Sequence, residues 1–356
     1  MHPKLRSIAS HASKRQRTAT PDKETSMMST RRTHIRWMAA GTMALLLPGL
    51  TSAQTWPERP VKVVVSSSAG SAPDIVARLI TEQLAPIWGK GLIVDNRPGA
   101  GGNLGAQAAA RSVNDGYTLW FAHATPVVMN QYLFKAPGFD AARDFTPIVR
   151  VGVNPMMVAV HPAVPARNLR ELVELSKSKS NKLSFTTSGT RNIPHLVGET
   201  LNQLTGAGMV NVPYKGSQQA AQDTAAGLAE VYIDAVPPMM PWVASGGAAA
   251  RLRPLAVTTA QRIEGFEQLP TARESGVDLV MQGWMGFMAP AGVPREVIDR
   301  VNRDVNTVLQ RPDIVSRLRQ LGTYQLGGST AEFDAFIRDE RRKWESVVKA
   351  ARLEAE

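Results

Sequence analysis

Residues 61–79 read VKVVVSSSAGSAPDIVARL and decide the fold. The run VKVVV at 61–65 is apolar and β-branched, which is typical of a buried strand. Residues 66–72 carry no side chain larger than a hydroxymethyl group. Pro73 and Asp74 then begin a helix, because proline suits the first helical turn. The stretch therefore predicts a strand, a small-residue turn and a helix.

The small-residue turn has the properties of an anion-binding site. Small residues let a ligand approach the backbone closely, and a helix N-terminus offers free N–H groups and partial positive charge. Open α/β sheets bind ligands at the carboxyl ends of their strands. An ordinary connection between strand and helix explains the same residues equally well. This stretch by itself leaves both interpretations open.

The positive charge of the chain is concentrated at its N-terminus. The formal net charge is +11 over 356 residues, but residues 1–53 hold nine basic and two acidic side chains, and the remainder carries only +4. That remainder has no basic stripe interleaved with aromatic residues, the pattern typical of nucleic-acid binding. We therefore expect no nucleic-acid partner.

Residues 1–53 are typical of a disordered leader followed by a signal peptide. Arginines within 31–36 precede an apolar run at 37–47, and small residues at 51–53 suit a signal peptidase. The apolar run is too short to span a bilayer as a stable anchor. We expect cleavage before Gln54 and a mature protein in the periplasm.

Length and composition favour two α/β lobes. A chain of 356 residues is too long for one ordinary core. The chain has no cysteine, which excludes disulfides, thiolate metal ligands, a cysteine nucleophile and a lipid-modified cysteine anchor. An exported chain without cysteine suits a bacterial periplasm.

Apolar segments alternate between strand and helix patterns. Residues 61–122 read as β-α-β-α-β, which is typical of a parallel sheet covered by helices. An extended segment at 145–153 leads through Asn154 and Pro155 to a further strand, where we place the crossing into a second lobe. Two amphipathic helices then close the chain. The predicted domains are the leader, 1–53; lobe 1, 54–153 with 279–356; and lobe 2, 154–278.

A second small-residue turn repeats the layout of the first. The strand predicted at 183–186 is followed by Thr-Ser-Gly-Thr-Arg-Asn at 187–192 and by a helix from Ile193. Two such turns that face each other can both present N–H groups to one ligand. The repeat predicts a ligand held between the lobes.

No catalytic or cofactor motif is recognisable. The glycine-rich segment at 99–105 lacks the third glycine of the dinucleotide fingerprint and follows the second strand, so close packing of helix on strand explains it better. Walker, GxSxG and HExxH motifs do not occur. After the leader, the histidines are His123, His161 and His195, without metal-ligand spacing. We expect no enzyme activity, no cofactor and no metal site.

Short motifs along nearly the whole mature chain match one family in order and spacing. The sequence resembles the Bug (TctC-like) extracytoplasmic solute-binding receptors of tripartite tricarboxylate transport systems. The matching segments are Arg59-Pro60, Gly70, Asp74, NRPGAGG at 96–102, DGYTL at 115–119, Ser188-Gly189, His195-Leu196, VPYKG at 212–216, AVT at 256–258, Pro270-Thr271 with Glu274 and Gly276, and Trp284 with Gly286, Ala289, Pro290, Gly292 and Pro294.

The resemblance implies a two-lobed periplasmic-binding-protein fold of type II. Each lobe would be a helix-covered, mainly parallel sheet, with the ligand cleft between the lobes. The implied function is a monomeric receptor that captures a small carboxylated metabolite and delivers it to a membrane permease. A periplasmic signalling receptor, or an enzyme acting on a carboxylate, is the alternative on the same scaffold. Turnover of a bound carboxylate would favour the enzyme.

The resemblance also implies a set of ligand-binding residues on the strand–helix loops. We expect them to be Ser67, Ser68, Ala69, Gly70, Asp74, Ala122, His123, Ala124, Thr187, Ser188, Gly189, Thr190, Arg191, His195, Tyr214, Lys215 and Asp234.

Three positions in this set carry specific hypotheses. Arg191 and Asn192 stand where the family usually has a glycine and a serine, so Arg191 either grips a ligand carboxylate or points to solvent. Asp74 would repel a ligand carboxylate, so it either orders the first turn or meets a ligand amine. His195, near a helix start, is expected to be a structural hydrogen-bonding group.

Overall fold

The computed structural model describes residues 56–178, 182–243 and 251–350. Within these ranges no helix is both long enough and apolar enough to cross a membrane. The predicted signal peptide and the cleavage site before Gln54 lie outside the described residues.

The first three strands form a parallel block. Strand β1 (Val61–Val65) lies between β2 (Leu92–Asn96) and β3 (Thr118–His123) and pairs in parallel with both. Helix α1 (Ala72–Trp88) connects β1 to β2, and α2 (Asn103–Ala110) connects β2 to β3. The alternation of strand and helix predicted for this part of the chain is confirmed.

The rest of the chain adds seven strands and eight helices within the described residues. In chain order they are α3 (Asn130–Leu133), β4 (Phe145–Val160), α4 (Leu169–Ser178), β5 (Ser184–Thr187), α5 (Ile193–Thr205), β6 (Val210–Pro213), α6 (Ser217–Ala225), β7 (Val231–Ala235), α7 (Val236–Val243), β8 (Arg253–Val257), β9 (Gln282–Pro290), α8 (Arg295–Leu309), α9 (Pro312–Gln320), β10 (Tyr324–Gln325) and α10 (Thr330–Ala350).

A second parallel block repeats the first. Strand β5 lies between β6 and β7 and pairs in parallel with both. Helix α5 follows β5, and α6 follows β6. The carboxyl ends of β5 and β6 therefore each lead through a short turn into the N-terminus of a helix, as β1 does into α1.

Strand β4 joins the two blocks. Its first part pairs antiparallel with β9, which in turn pairs antiparallel with β3, and its second part pairs antiparallel with β7 and β8. We expected a break at Asn154 and Pro155, but β4 is continuous. Pro155 pairs with the first residue of β9, and Met156 begins the pairing with β7. Proline is tolerated because it lies where the strand exchanges one partner for another.

The two predicted C-terminal helices pack as amphipathic elements, and a third helix lies between them. The buried side chains of α8 are Val297, Ile298, Val301, Val305, Val308 and Leu309, the apolar face expected from the sequence. Ser329 and Glu332 form a reciprocal capping box at the start of α10, in which each backbone N–H donates to the other side chain. Helix α9 lies between these two and was not expected from the sequence. Its start is marked by Pro312 and Asp313.

The aromatic core reaches the first turn directly. Trp120 on β3 is fully buried, and its ring centroid lies 4.4 Å from that of Phe145 on β4. The indole Nε1 of Trp120 donates a 3.1 Å hydrogen bond to Ser66 Oγ. The turn after β1 is thus anchored to the core at its first residue.

Candidate functional site

A cavity of about 810 Å³ opens where the carboxyl ends of the two parallel blocks meet. The turns after β1, β2 and β3 contribute to its lining, and so do the segments after β5, β6 and β7. The lining consists of residues 66–68, 71–73, 98–102, 123–125, 188–194, 213–215, 217, 234–235 and 283–285 with Phe134, Asn154 and Met156.

The structure brings most of the predicted site residues together. Those in the cavity lining are Ser67, Ser68, His123, Ala124, Ser188, Gly189, Thr190, Arg191, Tyr214, Lys215 and Asp234. Those outside the lining are Ala69, Gly70, Asp74, Ala122, Thr187 and His195.

One segment of the lining was missed in the sequence. Residues 98–102, between β2 and α2, line the cavity. We interpreted the glycines there as a packing device, and Gly105 does pack in that way, since a Cβ on it would lie 2.6 Å from Ser66 Cα. The segment could have been found by the signal that identified the first turn, a run of small residues directly after a strand.

Asp74 lies behind the first turn and holds it in shape. The residue is 3% exposed, and its Oδ2 accepts a 2.8 Å hydrogen bond from Gly70 N–H. Oδ1 accepts bonds of 2.9 Å from Arg78 Nε and from Asn96 Nδ2. Asn96 also donates to the Ser67 carbonyl at 3.1 Å. The carboxylate therefore cross-links the turn, α1 and the end of β2.

The second turn is shaped by its own side chains. Asn192 caps α5, because its side-chain oxygen accepts a 3.1 Å hydrogen bond from His195 N–H. His195 Nδ1 in turn accepts from Arg191 N–H at 3.1 Å. The Thr187 hydroxyl donates to the Gly189 carbonyl at 2.8 Å. His195 and Thr187 thus hold the turn from behind while the residues between them line the cavity.

Arg191 occupies a backbone conformation that favours glycine. Its φ is 54°, in the left-handed region that costs a side-chain-bearing residue about 1 kcal/mol or more. Its guanidinium carbon lies 5.9 Å from the ring centroid of Phe134, which also lines the cavity. The side chain is therefore part of the cavity wall.

His123 contributes a neutral ring to the lining. Burial lowers its pKa to about 4, and its Nε2 lies 3.5 Å from the Ser66 carbonyl oxygen. At neutral pH the ring is uncharged, so it can offer a hydrogen bond but no positive charge.

Asp234 is the acidic residue of the lining. It is 4% exposed, and burial raises the pKa of its carboxyl group. Oδ1 accepts a 2.7 Å hydrogen bond from Ala235 N–H, and Oδ2 accepts a 2.9 Å bond from the Tyr232 hydroxyl. Asp234 forms no ion pair with any residue in the described part of the chain.

The two blocks touch beside the cavity. A Cβ placed on Gly216 would lie 2.7 Å from Ser68 Oγ, so the turn after β1 lies against the start of α6. Gln218 Nε2 donates a 3.4 Å hydrogen bond to the Gly70 carbonyl. These two contacts close one side of the cavity.

The described residues do not offer a metal site. No three histidine, aspartate or glutamate side chains between residues 56 and 350 that the structure describes lie close enough to share a metal ion. The lining instead combines hydroxyl groups, backbone N–H groups and a few charges, which is the chemistry of a site that binds a small polar molecule.

A cavity between turns of two helix-covered sheets is the arrangement of solute-binding receptors. The family model described as "Tripartite tricarboxylate transporter family receptor" matches residues 76–353. A UPF0065 protein of Bordetella bronchiseptica is 36% identical over 316 residues, which cover 89% of this chain and 92% of that protein. The chain belongs to the tripartite tricarboxylate transporter receptor family.

Solved structures show the same fold. R. palustris Rpa4515, solved with adipate, is 32% identical with a TM-score of 0.80, covering 83% of this chain and 98% of its own. The periplasmic binding protein BugD is 30% identical with a TM-score of 0.79, covering 85% of this chain and 100% of its own. The predicted two-lobed periplasmic-binding-protein fold and the resemblance to Bug and TctC receptors are confirmed. Family and fold are those of periplasmic solute-binding receptors, which are not enzymes.

Proposed function

We propose that this protein captures a small carboxylate between its two lobes and delivers it to a tripartite tricarboxylate-type membrane permease. One observation carries the proposal: the N-terminal residues of three helices, α1, α5 and α6, line the same cavity. Helix N-termini carry partial positive charge and unpaired N–H groups, so three of them favour an anion. Neither α1 nor α6 has a side-chain cap, which leaves their N–H groups open to a ligand.

The charges of the lining also favour an anion. Arg191 and Lys215 are basic, Asp234 is acidic, and His123 is neutral at pH 7 because its pKa is about 4. A carboxylate that accepts several hydrogen bonds, each contributing roughly 1.5–3 kcal/mol, can reach the roughly 8 kcal/mol of micromolar affinity after the losses of binding. The adipate bound to a relative supports the same ligand class.

The proposal also covers the export of the protein and the boundaries of its two lobes. The mature receptor begins at Gln54, works in the periplasm as a monomer, and has no catalytic activity. Lobe 1 consists of residues 54–153 and 279–356, and lobe 2 of residues 154–278. N-terminal sequencing of the exported protein tests the cleavage site. A membrane-bound form that retains residues 31–53 would refute it.

Calorimetry across a panel of carboxylates tests the binding function. The protein is unfolded in denaturant, dialysed to remove bound ligand, refolded and titrated with mono-, di- and tricarboxylates. We expect micromolar or tighter binding of at least one of them, and mass spectrometry of the natively purified protein should identify a carboxylate. If no carboxylate binds to the correctly refolded protein, the proposal fails. Turnover of a bound carboxylate would show instead that the protein is an enzyme.

A further inference from the structure

A short segment near the C-terminus passes from one parallel block to the other. Residues 319–325, here called the strap, run from the last turn of α9 through β10. Helix α9 packs against α8, and α8 packs against α1 and β4. The strap therefore begins on the side of the first block, and from there it reaches residues of the second.

The strap is fixed to the strand that joins the two blocks. Strand β10 pairs antiparallel with Gly152 and Val153 of β4. The pairing is close, because a Cβ on Gly152 would lie 2.7 Å from the Tyr324 carbonyl oxygen. Thr323 is fully buried, and its hydroxyl oxygen accepts a 2.8 Å hydrogen bond from Asn154 Nδ2. The strap thus lies at the crossing between the blocks.

Two places in the second block contact the strap. Gly322 lies against Val236, the first residue of α7, so closely that a Cβ on Gly322 would lie 2.7 Å from Val236 Cβ. The Tyr324 hydroxyl donates a 2.8 Å hydrogen bond to the Glu264 carbonyl oxygen. Arg319 Nη1 lies 3.0 Å from the Glu264 carboxylate. Glu264 follows β8, which pairs with the second part of β4.

The hydrogen bond of Tyr324 is the main polar contact of the strap with the second block. Burial, and after it the negative charge of Glu264, raise the pKa of Tyr324 to about 12, so the hydroxyl keeps its proton and donates. The ion pair of Arg319 and Glu264 is exposed on both sides and contributes little by itself. The ring of Tyr324 also packs against the apolar cluster around Val236 and Ile263.

The contacts of the strap occur in an arrangement of the molecule in which the two blocks also touch beside the cavity. In that arrangement the turn after β1 lies against the start of α6. The strap and Glu264 both lie outside the cavity lining. A change in either can therefore alter ligand affinity only through the arrangement of the lobes, since a ligand in the cavity meets neither.

We propose that the strap stabilises the closed arrangement of the lobes over a bound ligand, which makes Gly322 and Tyr324 positioning residues for ligand capture. The inference rests on the proposed function, because a closed arrangement is useful only if the lobes hold a solute. When the lobes open, α7 and Glu264 move away from the strap, and water replaces the Glu264 carbonyl as the partner of the Tyr324 hydroxyl. The strap therefore slows ligand release without contacting the ligand.

Tyr324→Phe tests the hydrogen bond of the strap. It keeps the ring and removes the donor, so the ligand should dissociate about twofold to tenfold faster. The association rate should stay within about twofold of wild type, because the ligand enters the open arrangement first. Stopped-flow mixing measures both rates with the tightest binder among acetate, succinate, adipate and citrate. Tyr117→Phe is the matched control, because that hydroxyl accepts its 3.0 Å hydrogen bond from Glu58 N–H, outside the strap and the lining.

Gly322→Ala tests the close fit of the strap to α7. The added methyl group meets Val236, whose β-branched side chain is stiff, so the closed arrangement is disfavoured and affinity should fall about tenfold or more. Gly206→Ala is the matched control, because its φ of 71° is close to the 68° of Gly322 and nothing lies within 4 Å of its added Cβ. Both variants lose stability through the positive φ, but only Gly322→Ala should lose affinity. Small-angle scattering of the ligand-free proteins should give Gly322→Ala the larger radius of gyration.

The outcomes distinguish a failure of the strap from a failure of the proposed function. If none of the carboxylates binds the wild-type protein, the proposed function fails, and equal radii of gyration for the two alanine variants then overturn the strap as well. If a carboxylate binds but leaves Tyr324→Phe and Tyr117→Phe at the same rate, the contacts persist in both arrangements and the inference is wrong. Slower release from Tyr324→Phe also overturns it, because the strap would then hold the lobes apart.

Discussion

Single side chains determine how the turns around the cavity are held. Asp74 and His195 lie outside the lining, yet each accepts a hydrogen bond from a backbone N–H of a turn that forms part of it. Arg191 differs from them, because it lies in the lining and its own backbone has a strained, positive φ. The residues that shape the turns and the residues that line the cavity are therefore partly different sets.

Replacing Arg191 should separate affinity from stability. Arg191→Gly relieves the positive φ, so the free energy of unfolding should rise by about 1 kcal/mol. If the guanidinium holds a carboxylate, the same change weakens a dicarboxylate by roughly 1.5–3 kcal/mol, and Arg191→Lys recovers only part, since an ammonium lacks the fork geometry. Urea denaturation and calorimetry measure the two effects. Dicarboxylate affinities within twofold of wild type would make Arg191 a structural residue only.

Asp74→Asn should weaken ligand binding through the turn. The amide can keep one acceptor for Gly70 N–H, but it loses the charge that pairs with Arg78 at 2.9 Å. We expect several-fold weaker binding of every carboxylate that binds the wild-type protein, because the turn is less ordered before binding. The exposed pair of Arg295 and Asp299 offers the control variant, Asp299→Asn. A tenfold gain in affinity for a plain dicarboxylate would contradict the ordering role.

His123 should make the protein less stable in acid. Its pKa is about 4 in the folded protein and about 6.5 in the unfolded chain, so the unfolded state binds the proton more readily. Neutral His123 makes its full contribution to the free energy of unfolding above pH 6.5. As the pH falls towards 4, this contribution is lost, roughly 3 kcal/mol in all. His123→Gln should flatten this part of the stability curve, measured by urea denaturation from pH 7 to 4. An unchanged slope would show that another group causes the loss.

Among the residues of the cavity lining, those of the two small-residue turns were easier to predict from the sequence than the others. Ser67, Ser68 and residues 188–191 could be predicted because small residues after a buried strand are a local signal. Ser217 could not be, since only tertiary structure places it in the lining beside Tyr232 and Asp234. The role of a buried hydroxyl depends on its neighbours, and a single sequence does not show them.

Close packing of elements brings the turns to the cavity. Helix α2 approaches the end of β1 so closely that a Cβ on Gly105 would lie 2.6 Å from Ser66 Cα and 2.9 Å from the Arg97 carbonyl oxygen. Ser66 also receives the hydrogen bond from Trp120 on β3. The first turn is therefore fixed by elements on both sides of β1.

Gly105→Ala should destabilise the protein and weaken binding together. The added methyl group meets backbone atoms that cannot move independently, and overpacking of this kind costs about 1–3 kcal/mol. Gly91→Ala is the matched control, because nothing lies within 4 Å of its added Cβ. Thermal unfolding and calorimetry on both variants measure the difference. Equal stability of the two would show that α2 can shift away without cost.

The elements that the sequence missed have weak local signals. Helix α7 directly follows β7 and contains Pro237, Pro238 and Pro241, residues that usually argue against a helix. The continuity of β4 was missed for the same reason, because Pro155 suggested a break. In both places tertiary packing overrides local propensity, and only long-range pairing reveals the element.

The molecule as a whole is two repeats of one unit joined by shared strands. The α/β class and the parallel blocks were predictable because each unit has local strand and helix periodicity. The antiparallel connection through β4 and β9 was harder to predict, since it pairs residues more than a hundred positions apart. The same two strands contribute Asn154, Met156 and Trp284 to the cavity, residues absent from the predicted site.

The contact between Ser68 and Gly216 makes this receptor suitable for a reversible covalent lock. The chain contains no cysteine, so a pair introduced at these positions would have no competing thiol. A Cβ on Gly216 lies 3.1 Å from Ser68 Cβ, a few tenths of an ångström short of disulfide spacing. Its φ of 170° is extended backbone that cysteine adopts without strain.

A carboxylate held between the two lobes should favour this contact. Oxidation of the Ser68→Cys, Gly216→Cys double variant should therefore be faster with carboxylate present, and the oxidised protein should retain its ligand through dialysis until a reductant is added. Gel mobility and mass spectrometry follow both steps, and each single variant is a control. Equal oxidation rates with and without ligand, together with free exchange afterwards, would contradict this. With the bond formed, the time that a solute stays bound would depend on the redox potential of the solution instead of on affinity.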